Sequence, residues 1–289
     1  MSTYPFRRAL ITGASAGIGE QFAHILGNAG VPCVLVARRG DRLRELANRY
    51  AGFEFLEADL QSPGGLVAVA ARIASNTDPV DLVVNNAGFG SSGAFHETEV
   101  ERATGQVDLN IRALVELTHA SVSAMRSRGG GWVLNVSSVA SFQASPNMAV
   151  YAATKSFVTS FTEAVHEENR KHGVRVASLC PGFVKTEFQA VSGGADRFTK
   201  TPKILWLKAD DVARAGLDAR GRPRDYSWRN AATGSRRDAR RAGSMPKRIP
   251  VRALDPRAAT TASGGTEAAI GVEDLTTIAT RVPRPSPMS

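Results

Sequence analysis

Two cysteines in 289 residues cannot build a disulfide framework. Cys33 and Cys180 both fall in strand-like apolar runs, so buried free thiols and a reducing, cytoplasmic setting are expected. The five histidines, at 24, 96, 119, 166 and 172, show no metal-ligand spacing, and no metal is expected. No apolar run approaches the ~18 residues of a membrane span. The opening residues, Met-Ser-Thr-Tyr-Pro-Phe-Arg-Arg, hold no signal-peptide core, and a strand follows them directly. Acidic charge is scarce only at one end. Residues 220–289 carry 14 Lys+Arg against 6 Asp+Glu, whereas residues 1–219 carry 22 against 21. The net charge of +9 is therefore no argument that the folded part binds nucleic acid.

The 70 residues from Arg220 also lack phenylalanine, hold half of the 14 prolines and show no sustained periodicity. That composition buries too little apolar surface to offset the entropy of ordering. The expected division is a folded unit at 1–219 and a basic, low-order tail at 220–289. Three origins fit the tail: a disordered segment for anionic membrane or nucleic acid, a small module with a strand at 249–254, or out-of-frame translation of a GC-rich gene. The abrupt change where a seventh strand is due favours the last, and leaves that strand in doubt.

What is present is a regular alternation of strands and helices. Strands are expected at 8–12, 32–37, 53–57, 81–84, 131–136 and 174–179. Helices fall between them, with one long helix at 100–128 and an amphipathic one at 208–219. This predicts an α/β fold, a doubly wound parallel sheet of Rossmann type, order 3-2-1-4-5-6, with ligands at the carboxyl ends of the strands.

Chemistry-bearing residues fall at those ends. Thr12-Gly13-Ala14-Ser15-Ala16-Gly17-Ile18-Gly19 joins the first strand to a helix and reads as a phosphate cradle. Arg38-Arg39 ends the second strand, about ~20 residues on, where an acid would hold a free ribose 2′-hydroxyl. Arginine there suits a 2′-phosphate, so NADP(H) is favoured over NAD(H) with Arg38 as its ligand. Asp59, followed by Leu60, ends the third strand and either meets adenine or shapes the turn. Asn86, Ala87 and Gly88 close the fourth strand with side chains small enough for a cofactor to lie against the sheet. Asn110 stands mid-helix, a poor place for asparagine unless it faces the active centre. Ser138 follows the fifth strand. Tyr151 and Lys155, four apart, share one helix face, and a cation beside a phenol favours its ionised form.

Together, T-G-A-S-A-G-I-G, N-N-A-G, Asn110, Ser138, Y-A-A-T-K and P-G-F-V-K-T resemble the short-chain dehydrogenase/reductase family over about residues 5–219. The style is closest to its bacterial ketoacyl-reductase-like branch. The resemblance implies Tyr151 as acid/base and Lys155 as the ligand of the nicotinamide ribose that lowers the tyrosine pKa. It implies Ser138 at the carbonyl oxygen and Asn110 holding a water of the proton relay. Thr12, Gly13, Ser15, Gly17, Ile18 and Gly19 would line the phosphates, with Asp59 and Leu60 near adenine and Asn86, Ala87 and Gly88 near the ribose. Gly182, Val184 and Thr186 would meet the nicotinamide side and pyrophosphate, with Pro181 also at the cofactor. The implied reaction is hydride transfer between NADP(H) and a carbonyl/alcohol pair. The family commonly assembles through the helices bearing Asn110 and Tyr151, so a homodimer or homotetramer is expected, with Phe157, Phe161 and Val165 available as apolar surface. Phe89, Phe142, Phe183, Phe188 and Leu205-Trp206-Leu207 suggest a lipophilic small-molecule substrate, or ordinary loop packing. A non-catalytic NADP-binding regulator and the product of a damaged gene are the rival readings.

Overall fold

The computed structural model describes residues 4–193, 202 and 205–218. The tail expected at 220–289, and any seventh strand at its start, lie outside the described residues. Six strands form one parallel sheet in the order β3-β2-β1-β4-β5-β6. They are β1 (Ala9–Thr12), β2 (Cys33–Ala37), β3 (Glu54–Glu57), β4 (Leu82–Asn85), β5 (Gly131–Val136) and β6 (Val174–Leu179). Between them run α1 (Gly17–Asn28), α2 (Gly40–Ala47), α3 (Pro63–Ala74), α4 (Val100–Val107), α5 (Leu114–Ser127) and α6 (Ala149–Asn169). The expected order and all six strands are therefore present, with ends shifted by a residue or so.

Alternation along each strand sends side chains to two separate cores. Ile11, Leu35, Val84 and Leu134 pack with Phe22 and Leu26 of α1 on one face. Leu10, Val34, Val83 and Val133 pack with Leu66, Val69 and Leu117 on the other. Both faces of the sheet are thus covered, which is why its central strands read as continuous apolar runs. Truncating one of these buried leucines to alanine costs about 2–5 kcal/mol. A further helix, Ala209–Asp218, buries Val212, Ala213 and Leu217 in the first core. After β6, Phe183–Val184 pairs in parallel with Trp206–Leu207, separately from the main sheet. A single turn, Phe188–Val191, lies between them.

Two features position the site. Asn85 and Asn135 face each other in register on β4 and β5, with Asn85 Nδ2 donating to Asn135 Oδ1 at 2.9 Å. Asn85 also donates to Thr118 of α5 (3.1 Å), and Asn135 donates to Thr162 of α6 (3.0 Å). These bonds replace apolar contact with directional ties, so α5 and α6 are held in register with the sheet. The second feature corrects an expectation. Residues 100–128 are not one regular helix: Asp108–Ala113 forms a π-helical turn between α4 and α5. Asn110 sits inside that turn, and its side chain is spent on a neighbouring loop rather than on solvent. Among the described residues, no helix is long and apolar enough to cross a membrane.

Candidate active site and cofactor cleft

The glycine-rich turn hangs between β1 and α1. Gly13 has φ +66°, and a Cβ there would lie 2.8 Å from Asn86 Nδ2 and 3.0 Å from Ala87 Cα. Gly17 has φ +61°, and a Cβ there would press on the Thr186 methyl at 3.1 Å. Both positions need glycine for conformation and for room. Thr12 Oγ1 accepts from the backbone N–H groups of Asn86 and Ala87, each at 3.0 Å, and Asn86 Nδ2 donates to the Thr12 carbonyl at 2.9 Å. The ends of β1 and β4 are thereby locked together beneath the turn. No side chain caps α1, whose N-cap is Ala16, so its first amides stay open to an anion.

At the end of β2, Arg38 is exposed, and Arg39 is the residue turned toward the turn. Arg39 Nε donates to Ser15 Oγ (3.1 Å) and Nη2 to the Ser15 carbonyl (3.3 Å). Arg42, from α2, reaches the same carbonyl at 3.5 Å. Both arginines bind Glu187, Arg39 at 2.8 Å and Arg42 at 2.7 Å, and these bonds hold the Glu187 carboxyl below its usual pKa. Sequence reasoning named Arg38 and missed Arg42 and Glu187; the only available signal was the second arginine of the Ala-Arg-Arg run. Asp59 Oδ1 accepts from the Gln61 N–H at 3.0 Å, and Leu60 is buried. The aspartate thus shapes its turn.

Tyr151, Lys155, Ser138 and Asn110 converge at the carboxyl ends of β4 and β5, all buried. Lys155 Nζ donates to the Val136 carbonyl at 2.8 Å and lies 5.8 Å from the centre of the Tyr151 ring. Burial pushes the Tyr151 phenol up to about 12, against a hydrogen bond to Ser138 that pulls it down. Burial lowers Lys155 to about 8. Desolvation is the largest influence on the phenol, ahead of its polar neighbours. Asn110 Nδ2 donates to the Phe89 carbonyl (2.9 Å) and to Thr154 Oγ1 (3.1 Å), while its Oδ1 accepts from the Phe89 N–H (3.1 Å). It pins the loop after β4 to α6, and Gly88 fits between it and Lys155.

Residues 181–192 close one side of this cleft. The Pro181 carbonyl accepts from Val139 N–H at 3.0 Å, Val184 is buried, and Gly182 keeps open space apart from the Leu207 side chain. Gln189 braces the segment, donating to the Val184 carbonyl at 2.7 Å and accepting from the Thr186 N–H at 3.2 Å. The Phe188 ring lies 5.5 Å from that of Tyr151. Of the other aromatics singled out, Phe183 pairs with Trp206, Phe89 lies under the Arg102 guanidinium, and Phe142 is exposed.

The short chain dehydrogenase family model matches residues 7–195. The chain belongs to the short-chain dehydrogenase family. Its enzymes are NAD(P)-dependent oxidoreductases, and so is this chain. An oxidoreductase of Staphylococcus saprophyticus is 31% identical over 220 residues, which span 74% of this chain and 91% of the relative. Two solved structures share the short-chain dehydrogenase fold with a TM-score of 0.70 each. One is a short-chain dehydrogenase from Sphingobium yanoikuyae in complex with NADPH, 27% identical, covering 91% of this chain and 98% of that one. The other is a bulky-bulky ketone specific alcohol dehydrogenase from Comamonas testosteroni, 25% identical, covering 91% and 97%. The cleft fits the cofactor: the Gly13 cradle leaves no room for a side chain, α1 is uncapped, and two arginines flank Ser15.

Proposed function

We propose that residues 1–219 form an NADP(H)-preferring oxidoreductase that interconverts a lipophilic carbonyl compound and its alcohol, with Tyr151 as the acid/base. The observation that carries this reading is the buried Tyr151 phenol, hydrogen-bonded to Ser138 and faced by Phe188. Thr12, Gly13, Ser15, Gly17, Ile18 and Gly19 would hold the pyrophosphate, and Arg38 and Arg39 the 2′-phosphate. Asp59 and Leu60 would lie by adenine, Asn86 to Gly88 by the ribose, and Pro181, Gly182, Val184 and Thr186 on the nicotinamide side. The bound nicotinamide supplies or takes up the hydride.

The protein's own part is to place an oxygen and move a proton. Ser138 holds the carbonyl oxygen, and Tyr151, neutral at pH 7 with a pKa of about 12, donates its proton to that oxygen as negative charge develops. In the reverse direction the phenolate takes the proton from the alcohol. Lys155 stays close enough to favour that phenolate once it forms, and Asn110 holds the loop and α6 in place beside a relay water. Phe188 supports a lipophilic substrate, as does the similarity to a bulky-ketone enzyme. Phe157 and Phe161, stacked 5.6 Å apart with Phe157 39% exposed, support self-association through α6.

The test is a panel of ketones, ketoacyl thioesters and short polar carbonyls, scored by NADPH consumption. Turnover is expected on lipophilic members. Cofactor binding with no turnover on any member would instead favour a non-catalytic regulator.

A further inference from the structure

Glu187 opens the segment that lies over Tyr151, yet its carboxylate is committed to the other end of the cleft. Each of its oxygens takes one guanidinium, Oε2 that of Arg39 (2.8 Å) and Oε1 that of Arg42 (2.7 Å). The same arginines touch Ser15 in the phosphate cradle. This is the anion-binding arrangement expected of a ribose 2′-phosphate site, filled by a tethered carboxylate. The three side chains are 41–48% exposed, so the pairs are exchangeable rather than structural. One residue on, Phe188 packs against Tyr151, and at the far end of the segment Arg102 donates to the Val191 carbonyl.

We propose that Glu187 is a specificity-determining residue that couples the two ends of the cleft. Its carboxylate competes with the 2′-phosphate for Arg39 and Arg42, and a 2′-phosphorylated nucleotide frees Glu187 from the arginine pair. This rests on the NADP(H) reading above. A phosphate dianion brings more charge and one more oxygen than a carboxylate, so it displaces Glu187 from the arginine pair. A nucleotide without the 2′-phosphate leaves the latch closed. The chain therefore gives up part of its NADPH affinity to a competitor built into the loop that borders Tyr151.

The full-length protein and Glu187→Gln are titrated with NADPH and NADH, and hydrogen exchange of residues 186–192 is followed with adenosine 2′,5′-bisphosphate or ADP. Glu187→Gln is expected to bind NADPH about threefold to tenfold more tightly and NADH within about twofold, the scale of one or two half-exposed ion pairs. In the wild type, adenosine 2′,5′-bisphosphate accelerates exchange at 186–192 and ADP does not. If the wild type prefers NADPH but Glu187→Gln shifts both cofactors equally or neither, the coupling is overturned while the NADP(H) reading stands. A wild type indifferent to the 2′-phosphate overturns both.

Discussion

Lys155 donates a hydrogen bond to the Val136 carbonyl, 2.8 Å away, and meets Tyr151 through the ring rather than through a close ion pair. The ammonium is therefore buried against a strand end with one backbone partner among the described hydrogen bonds. Burial away from water lowers its pKa to about 8. The cost is a stability statement as well as a chemical one.

Lys155→Met is expected to raise stability at pH 7 by about 1–3 kcal/mol, the burial penalty less one lost hydrogen bond, while removing activity. The sign follows from linkage. Below pH 8 the folded lysine is charged and bears the full penalty. Between about pH 8 and 10.5 the unfolded chain binds more protons, so wild-type stability rises with pH and the gap to the variant closes. Denaturant unfolding at several pH values checks this; a variant less stable than wild type at pH 7 sinks it.

Gly13→Ala places a methyl 2.8 Å from Asn86 Nδ2 at a φ of +66°. A loss of about 1–3 kcal/mol in stability is expected, together with loss of measurable cofactor binding. Calorimetry on the purified variant reads both, and normal cofactor affinity would show that the backbone does not approach the pyrophosphate there.

Arg39→Ala is expected to weaken NADPH binding about tenfold or more and leave NADH nearly unchanged, because the guanidinium is positioned by Ser15. Arg38→Asp is expected to shift the preference toward NADH as well, but by less, since Arg38 lacks that anchoring. The NADPH/NADH ratio of kcat/KM in each variant decides the order; equal effects would return Arg38 to the leading role.

Phe188→Ala removes the ring packed on Tyr151. For lipophilic carbonyls kcat/KM is expected to fall about tenfold, the scale of a lost aromatic contact, with small polar carbonyls little affected. Uniform loss across the substrate panel would assign Phe188 to fold maintenance instead.

The six strands and their order were legible because parallel strands buried on both faces leave unbroken apolar runs such as residues 33–36 and 82–84. The glycine turn and the Tyr151–Lys155 pair were legible for the same kind of reason: local spacing alone brings those groups together. Three features were not. The π-turn at Asp108–Ala113 inserts an extra residue into an otherwise regular helical pattern, and periodicity cannot register that. The Glu187 clamp joins residues 145 and 148 positions apart, which no local pattern encodes. The direction of the Tyr151 shift depends on desolvation, set by how deeply the fold buries the helix face rather than by which residue stands four positions away.

The proton-transfer role of Tyr151 is tested most directly by Tyr151→Phe, which keeps the ring against Phe188 and removes only the hydroxyl bonded to Ser138. NADPH affinity and carbonyl-dependent NADPH oxidation are measured on the same preparation. The expected result is affinity within about threefold of wild type and turnover reduced by about 10²–10⁴-fold, the usual contribution of a positioned acid. Turnover retained near the wild-type rate, with the cofactor still bound, would contradict the assignment.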